Sequence, residues 1–424
     1  MRILVLGSGA REHAILLALR AEKTPHELFA APGNAGIARD AAIVDLDPVD
    51  PVAVTDHAIE HGIDLVVIGP EAPLVAGVAD ALRARGVPVF GPGRAAAQLE
   101  GSKTFAKRIM DAAGVPTGRA IHARTAAEVE AAFDALGAPH VVKADGLAAG
   151  KGVIVTSDRA AALAHAEAYL PTGPVLIEEF LDGPEVSLFF LSDGDHVLPL
   201  SPAQDYKRLR DGDEGPNTGG MGAYSPLPWL SERFGDERAF VDEVTRDIAE
   251  PVIRRLDAEG TPFVGLLYAG LVLTAGGVKV IEFNARFGDP ETQVVLPRLV
   301  DPLSELLLAA AGGHLEDHAR PEFAESAAVT VVVASEGYPD RPVTGRPIAG
   351  LDAAASVPGV HLAHAATAAG PDDGLVAAGG RVLNVVALGT TFAEASERAY
   401  AAVAHVELEG AQHRRDIAAR VIET

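Results

Sequence analysis

Two side chains near the middle of the chain have the types and spacing to hold a hard cation. Glu282 and Asn284 stand two apart in the stretch Ile281-Glu282-Phe283-Asn284-Ala285-Arg286-Phe287-Gly288-Asp289-Pro290-Glu291. In a strand, residues two apart share a face. The pair therefore points one way, with Ile281 and Phe283 expected to point into the core. A carboxylate beside an amide oxygen suits Mg²⁺ or Mn²⁺ with nucleotide phosphates completing the shell. A strand ending in a polar turn accounts for these two residues equally well. Other stretches tip the balance. Asp145 to Gly152 (Asp-Gly-Leu-Ala-Ala-Gly-Lys-Gly) lies between the apolar runs Val141–Ala144 and Val153–Thr156. It is no Walker A loop, because the glycine spacing is short, Gly152 replaces the Ser or Thr after Lys151, and no helix follows. The better reading is a glycine hairpin whose amides and lysine fold over phosphates. Gln204 to Pro226 is a long polar, glycine-bearing loop with Asp205, Lys207, Arg208 and Arg210. Such loops inside a compact domain are usually functional or disordered.

The elements that must position these groups follow from pattern. Strands Ile3–Leu6, Leu28–Ala31, Ile43–Leu46, Leu65–Ile68 and Val87–Phe90 alternate with helical stretches, arguing for a parallel α/β sheet. Gly7-Ser8-Gly9 suggests a dinucleotide fold, yet Glu12 occupies the third glycine position and Pro32-Gly33 stands where a ribose-binding acid belongs. What remains there is a glycine turn with amides free for some anion. Gly69-Pro70-Glu71 lies just past the carboxyl end of its strand, the edge where such sheets bind ligands, and a plain strand-to-loop turn accounts for Glu71 equally well. Ser102 caps a helix from Lys103 to Ala113 with Phe105 and Ile109 inward, and Lys103 in its first turn is placed to answer an anion. Val175–Ile177 runs into Glu178-Glu179-Phe180-Leu181, whose backbone could meet an adenine edge. A helix over Glu232–Leu256 and a strand over Val264–Leu273 precede the Glu282 strand. Thr391 and Glu394 form a capping box for Phe392–Ala404.

The 424 residues allow about three domains. With 48% hydrophobic and 22% charged residues the chain has the composition of a folded globular protein. A formal charge of −24 argues against nucleic acid, and no apolar run reaches a membrane span. The absence of cysteine excludes thiolate nucleophiles and disulfides. A cytoplasmic enzyme acting on small molecules is the simplest fit.

In this order, the motifs resemble those of the glycinamide ribonucleotide synthetases of the ATP-grasp superfamily. The resemblance runs from Val5-Leu6-Gly7 and Arg11-Glu12-His13 through Ala31–Gly36, Gly69-Pro70-Glu71, Gln98–Lys103, Lys143–Val153, Glu178–Leu181 and Gly215–Pro226. It ends with Glu282–Glu291 and Gly379–Leu383. It implies a multidomain α/β and α+β fold: an N-terminal Rossmann-like domain (1–101), an ATP-grasp core (102–117 and 190–323), a mobile lid (118–189) and a C-terminal α+β domain (324–424). It implies ATP held by Lys103, Lys143, Gly146, Gly150, Lys151 and Gly152, with Glu178, Glu179, Phe180 and Leu181 at adenine and Glu185 at the ribose. Glu282 and Asn284 would carry Mg²⁺ or Mn²⁺. Arg286 and Lys207 would stabilise the transferring phosphoryl, and Asp205 would hold the glycine ammonium. Gly9, Arg11, Asn34, Gly69, Pro70, Glu71, Asn217, Thr218, Gly219, Gly220 and Arg381 would meet phosphoribosylamine and the loops around it. The activity implied is ATP-dependent ligation of glycine to 5-phosphoribosylamine in purine biosynthesis, by a monomer. Two features depart from the family: Tyr206 stands where histidine is usual, and Val264–Leu273 carries no second metal carboxylate.

Overall fold

Strand Arg2–Gly7 shows how the N-terminal layer is built. Its alternate residues face opposite sides: Leu4 and Leu6 pack with Val54, Ala58 and Leu82, whereas Ile3 and Val5 pack with Ile15, Leu16 and Leu19. Both faces are buried, as expected of a parallel sheet with helices on each side. The five strands lie in the order Ala42–Ile43, Glu27–Pro32, Arg2–Gly7, Leu65–Ile68, Val89–Phe90, all parallel. The computed structural model describes residues 1–146, 152–370 and 374–423, so Gly150 and Lys151 lie outside the described residues.

The core carries an antiparallel sheet ordered Val197–Pro199, Glu185–Asp193, Val264–Thr274, Gly277–Asn284. A separate sheet, ordered Ala120–Ala123, Val175–Glu178, His140–Ala144, Val153–Thr156, has its own small core. There Phe133 and Val129 from helix Ala126–Leu136, and Ala162 and Ala166 from helix Arg159–Tyr169, cover Val142 and Ile177. The third large sheet runs Gln204–Asp205, Gly222–Ser225, Ala327–Ala334, Arg381–Gly389, Val360–His364.

That third sheet corrects the reading of 204–226 as a loop. Gln204–Asp205 and Gly222–Ser225 are strands of the C-terminal sheet, across the boundary expected near Phe323, and Arg208–Arg210 pairs with Glu214–Asn217 as a hairpin. Gln204 and Asp205 face the cleft and so show no apolar pattern, and Gly222–Ser225, although buried, is only four residues long. The long helix expected over Glu232–Leu256 is broken. Gly235 has a positive φ, Asp236 caps a new start, and a π-turn at Thr245–Ala249 precedes Pro251, which has no N–H to return to residue 247. Glu71 does not sit in a turn but opens helix Glu71–Ala76. The box at Thr391 is displaced: Thr391 Oγ1 accepts the Glu394 amide, but the Glu394 carboxylate takes the amide and hydroxyl of Thr390.

Candidate active site

A β-bulge aims the cation-binding pair. Gly277–Asn284 pairs antiparallel with Val264–Thr274, but the register slips between Leu271–Val280 and Gly270–Glu282, leaving Ile281 as the extra residue. A bulge resets the alternation of faces. Val278, Val280 and Phe283 are therefore buried, while Ile281, Glu282 and Asn284 line a cleft of about 920 Å³. This corrects the expectation that Ile281 is a core residue; its side chain faces the cleft and its carbonyl accepts from Lys143 Nζ at 3.2 Å. Burial works against the Glu282 carboxylate, but Lys207, Lys143, Lys103 and Arg286 outweigh it and hold its pKa below the ordinary value. One carboxylate and one amide oxygen, with lysines and an arginine close enough to act on that carboxylate, fit a divalent ion bound together with phosphates. The facing strand supplies Gly270 opposite Glu282 and Tyr268 opposite Asn284, so no second acid comes from there.

The nucleotide side is built on helix Lys103–Ala113. Ser102 Oγ accepts the Phe105 amide at 3.1 Å. The Asp145 carboxylate takes the Lys103 amide at 2.7 Å and the Thr104 hydroxyl at 2.6 Å, filling the anion position at this helix start. Lys103 Nζ reaches across to the Gly146 carbonyl at 3.3 Å. Lys143 is buried and lies 2.8 Å from Glu178, which also meets Lys107 at 3.5 Å. The Glu178 side chain is thus locked against two lysines, and its backbone is paired in the sheet with Ala120 and Val141. Burial lowers the Lys107 pKa despite Glu178. Phe180, 41% exposed, offers an apolar face at the cleft, beside Leu181 and Glu179.

Across the cleft, acids and bases are interleaved. Lys207 pairs with Glu185. Burial opposes its charge, but Asp205 and Glu185 hold its pKa well above the ordinary value. Burial, aided by Glu291 and Glu185 and opposed by Lys207, raises the Asp205 pKa to about 7. Glu291 is buried and accepts from the Tyr268 hydroxyl at 2.9 Å and from Ser187 at 3.2 Å. Arg286 lies 2.9 Å from Glu100 and 3.9 Å from Glu71, with its Nε buried and not hydrogen-bonded. Against the cost of burial, Glu100, Glu71 and Glu291 raise its pKa. Arg381 pairs with Asp289 at 3.0 Å and donates to the Gly219 carbonyl.

The cleft brings together Arg11, Glu71, Lys103, Lys143, Gly146, Gly152, Glu178–Leu181, Glu185, Asp205, Lys207, Asn217, Thr218, Gly219, Glu282, Asn284, Arg286 and Arg381. Other expected residues are placed elsewhere. The Gly9 amide is taken by Glu12 Oε2 at 2.6 Å, so the turn holds its own carboxylate in place of an external anion. Gly69 is needed because a Cβ would come within 2.1 Å of that carboxylate, and Pro70 leads into helix Glu71–Ala76. Asn34 donates to the carbonyls of Ser8, His364 and Ala365 and accepts from Gly36 and Ile37, which engages its whole amide. Gly220 packs on Pro290. The sequence reading passed over Glu100, Tyr268, Asp289 and Glu291. Glu100 and Glu291 lie inside quoted motifs, whereas Tyr268 in an apolar strand gave no signal.

Models of three consecutive domains match the chain: "Phosphoribosylglycinamide synthetase, N domain" over residues 1–100, its "ATP-grasp (A) domain" over 101–292 and its "C domain" over 328–420. A phosphoribosylamine–glycine ligase of Leifsonia xyli subsp. xyli is 70% identical over 422 residues, covering 99% of this chain and 100% of that protein. One from Streptomyces coelicolor is 58% identical over 422 residues, 99% of each. The crystal structure of the phosphoribosylamine–glycine ligase from Thermotoga maritima matches with a TM-score of 0.80 at 34% identity, over 98% of this chain and 100% of that one.

Proposed function

Because the chain belongs to the phosphoribosylglycinamide synthetase family, we propose that its ligation of glycine to 5-phosphoribosylamine proceeds through glycyl phosphate, with the cleft residues in the roles below. The protein is an ATP-dependent C–N ligase of purine biosynthesis. A glycine carboxylate is a poor electrophile, since its charge repels an amine. Phosphorylation by ATP converts one carboxylate oxygen into a leaving group. The amine of phosphoribosylamine then attacks the carbonyl and expels phosphate.

The observation that carries this reading is the Glu282 carboxylate, with Asn284 beside it in the cleft, in the combined field of Lys207, Lys143, Lys103 and Arg286. Glu282 and Asn284 would hold Mg²⁺ or Mn²⁺, which would supply charge neutralisation at the phosphates. Lys103 and Lys143 hold phosphate oxygens, with Gly146 and Gly152 beside them in the cleft. The backbone of Glu178–Leu181 meets adenine and Glu185 the ribose. Asp205 receives the glycine ammonium, and Lys207 and Arg286 stabilise the transferring phosphoryl group. Catalysis of this kind is mostly positioning and electrostatics. Arg11, Glu71, Asn217–Gly219 and Arg381 border the phosphoribosylamine end. With this reading go the four-part division at 101, 117, 189 and 323, action as a cytoplasmic monomer, and small-molecule partners only.

Glycine labelled with ¹⁸O in its carboxylate tests the route. With ATP, Mg²⁺ and phosphoribosylamine, one label per turnover should appear in inorganic phosphate. Unlabelled phosphate would overturn the glycyl phosphate step.

A further inference from the structure

Tyr206 stands between Asp205 and Lys207, and the reading above gives it no task. Its ring lies under the Arg414 guanidinium, 4.6 Å from the centroid, and its hydroxyl accepts the Ala418 amide at 2.9 Å. Arg414 is a fully buried arginine, 1% exposed. It donates to Asp416 at 2.6 and 2.7 Å, to Asp213 at 2.8 Å and to the Arg208 carbonyl at 3.2 Å. Arg415 binds Asp211 through its amide and side chain, Arg420 reaches Asp213 at 3.2 Å, and the Gly212 amide donates to Asp416. Every residue of the hairpin tip 211–213 is thus bonded to the segment 414–420. At the other end, Thr218 closes the hairpin on the Lys207 carbonyl through its amide at 2.8 Å and its hydroxyl at 2.9 Å.

Among the described residues, Asp213 (φ 57°) and Ala418 (φ 63°) are the non-glycine residues with positive φ. One lies on each side of this contact. Strained backbone persists where its surroundings over-determine it, and such sites cluster at function.

We propose that the 414–420 segment is a clamp that fixes the 205–218 hairpin, so that Arg414 and Tyr206 are positioning residues for the glycine amino group and the transferring phosphoryl group. Neither acts on a reacting atom; they act through Asp205 and Lys207, and the proposal rests on the roles given to those two above. Lys103, Lys143 and Phe180 lie outside the clamp, which reaches the nucleotide only through Lys207 and its partner Glu185, so nucleotide affinity should change far less than glycine affinity.

Arg414→Gln, Asp213→Asn and Tyr206→Phe separate the possibilities, with glycine and ATP varied independently and amide hydrogen exchange followed over 205–218. Misplacement on the order of an ångström costs about 10²-fold. The first two variants should raise the KM for glycine or lower kcat by about 10–10²-fold in combination, leave the KM for ATP within about twofold, and speed exchange in the hairpin. Tyr206→Phe keeps the ring and loses the Ala418 bond, so its effect should be smaller. Faster hairpin exchange with unchanged glycine kinetics would overturn the clamp's role. If Arg414→Gln fails to fold, Asp213→Asn at a half-exposed carboxylate and Tyr206→Phe decide the matter by the same criteria. Asp205→Asn is the control: if it abolishes turnover while clamp variants are silent, only the clamp fails, and if it too is silent, the assigned role of Asp205 fails.

Discussion

At the scale of single residues, the site is a problem of charge. Arg286 is surrounded by Glu71, Glu100 and Glu291 yet keeps a buried Nε without a hydrogen bond, a donor available to an oxygen that carries charge during transfer. Arg286→Ala should lower kcat by about 10²–10³, the usual loss for one preorganised donor. Arg286→Lys should recover little, because a point charge cannot reproduce the guanidinium fork. Near-full turnover of a folded Arg286→Ala protein would remove it from the chemistry. Asp205 makes a second prediction. Its pKa of about 7 means that the carboxylate fraction grows as pH rises from 6 to 8, while the glycine ammonium stays protonated. The KM for glycine should therefore fall as pH rises through about 7, and Asp205→Asn should lose that dependence along with affinity. A KM flat from pH 6 to 8 would separate Asp205 from the ammonium.

At the scale of elements, the site depends on how strands and helix ends are tied. Asp145 follows strand His140–Ala144 yet occupies the N-terminus of helix Lys103–Ala113, where a carboxylate also gains from the helix dipole. Asp145→Ala should loosen the Lys143 strand from the Lys103 helix. We expect about tenfold weaker ATP binding by calorimetry, equivalent to about 1.4 kcal/mol; unchanged ATP affinity with a lowered Tm would make the tie purely structural. Elements of this kind were partly legible. The Ser102 cap, the apolar strands flanking the glycine hairpin and the shared face of Glu282 and Asn284 follow from local rules that the sequence displays. The bulge at Ile281 does not, because it is a property of pairing with Gly270 and Leu271, and a single strand contains no record of its partner's register. The 204–226 stretch failed for a related reason: its strands belong to a sheet completed by residues more than 100 positions later.

At the scale of the whole molecule, the N-terminal and C-terminal parts meet through histidines, which is also why Asn34 misled. It has the look of a ligand-binding amide in a glycine loop, but its partners lie at His364 and Ala365, invisible to any local reading. Beside it, His13 Nδ1 accepts the His364 amide at 2.8 Å, so Nε2 carries the proton and donates to Asp40 at 2.9 Å. The neutral tautomer is fixed by that accepted bond. Burial, then the Arg39 charge, lowers the His13 pKa to about 4; burial, then His13 and Arg39, lowers His364 to about 3. His361 is lowered to about 4 by burial and His13, and Arg20 pairs with Asp40 on the outer side. Unfolded histidines titrate near 6.5. Between that value and about 4 the unfolded chain binds protons that the native interface refuses. The contribution of these histidines to stability is therefore fully present above pH 6.5 and falls as pH drops, by about 1.4 kcal/mol per pH unit for each one involved. Below about 4 His13 itself adds no further loss, since both states are then protonated. His13→Gln keeps an oxygen that can accept the His364 amide but does not titrate. Urea midpoints measured at pH 7.5, 6 and 5 should fall less steeply for that variant than for the native chain, and equal slopes would show that the joint between the two ends of the chain is indifferent to its buried histidine.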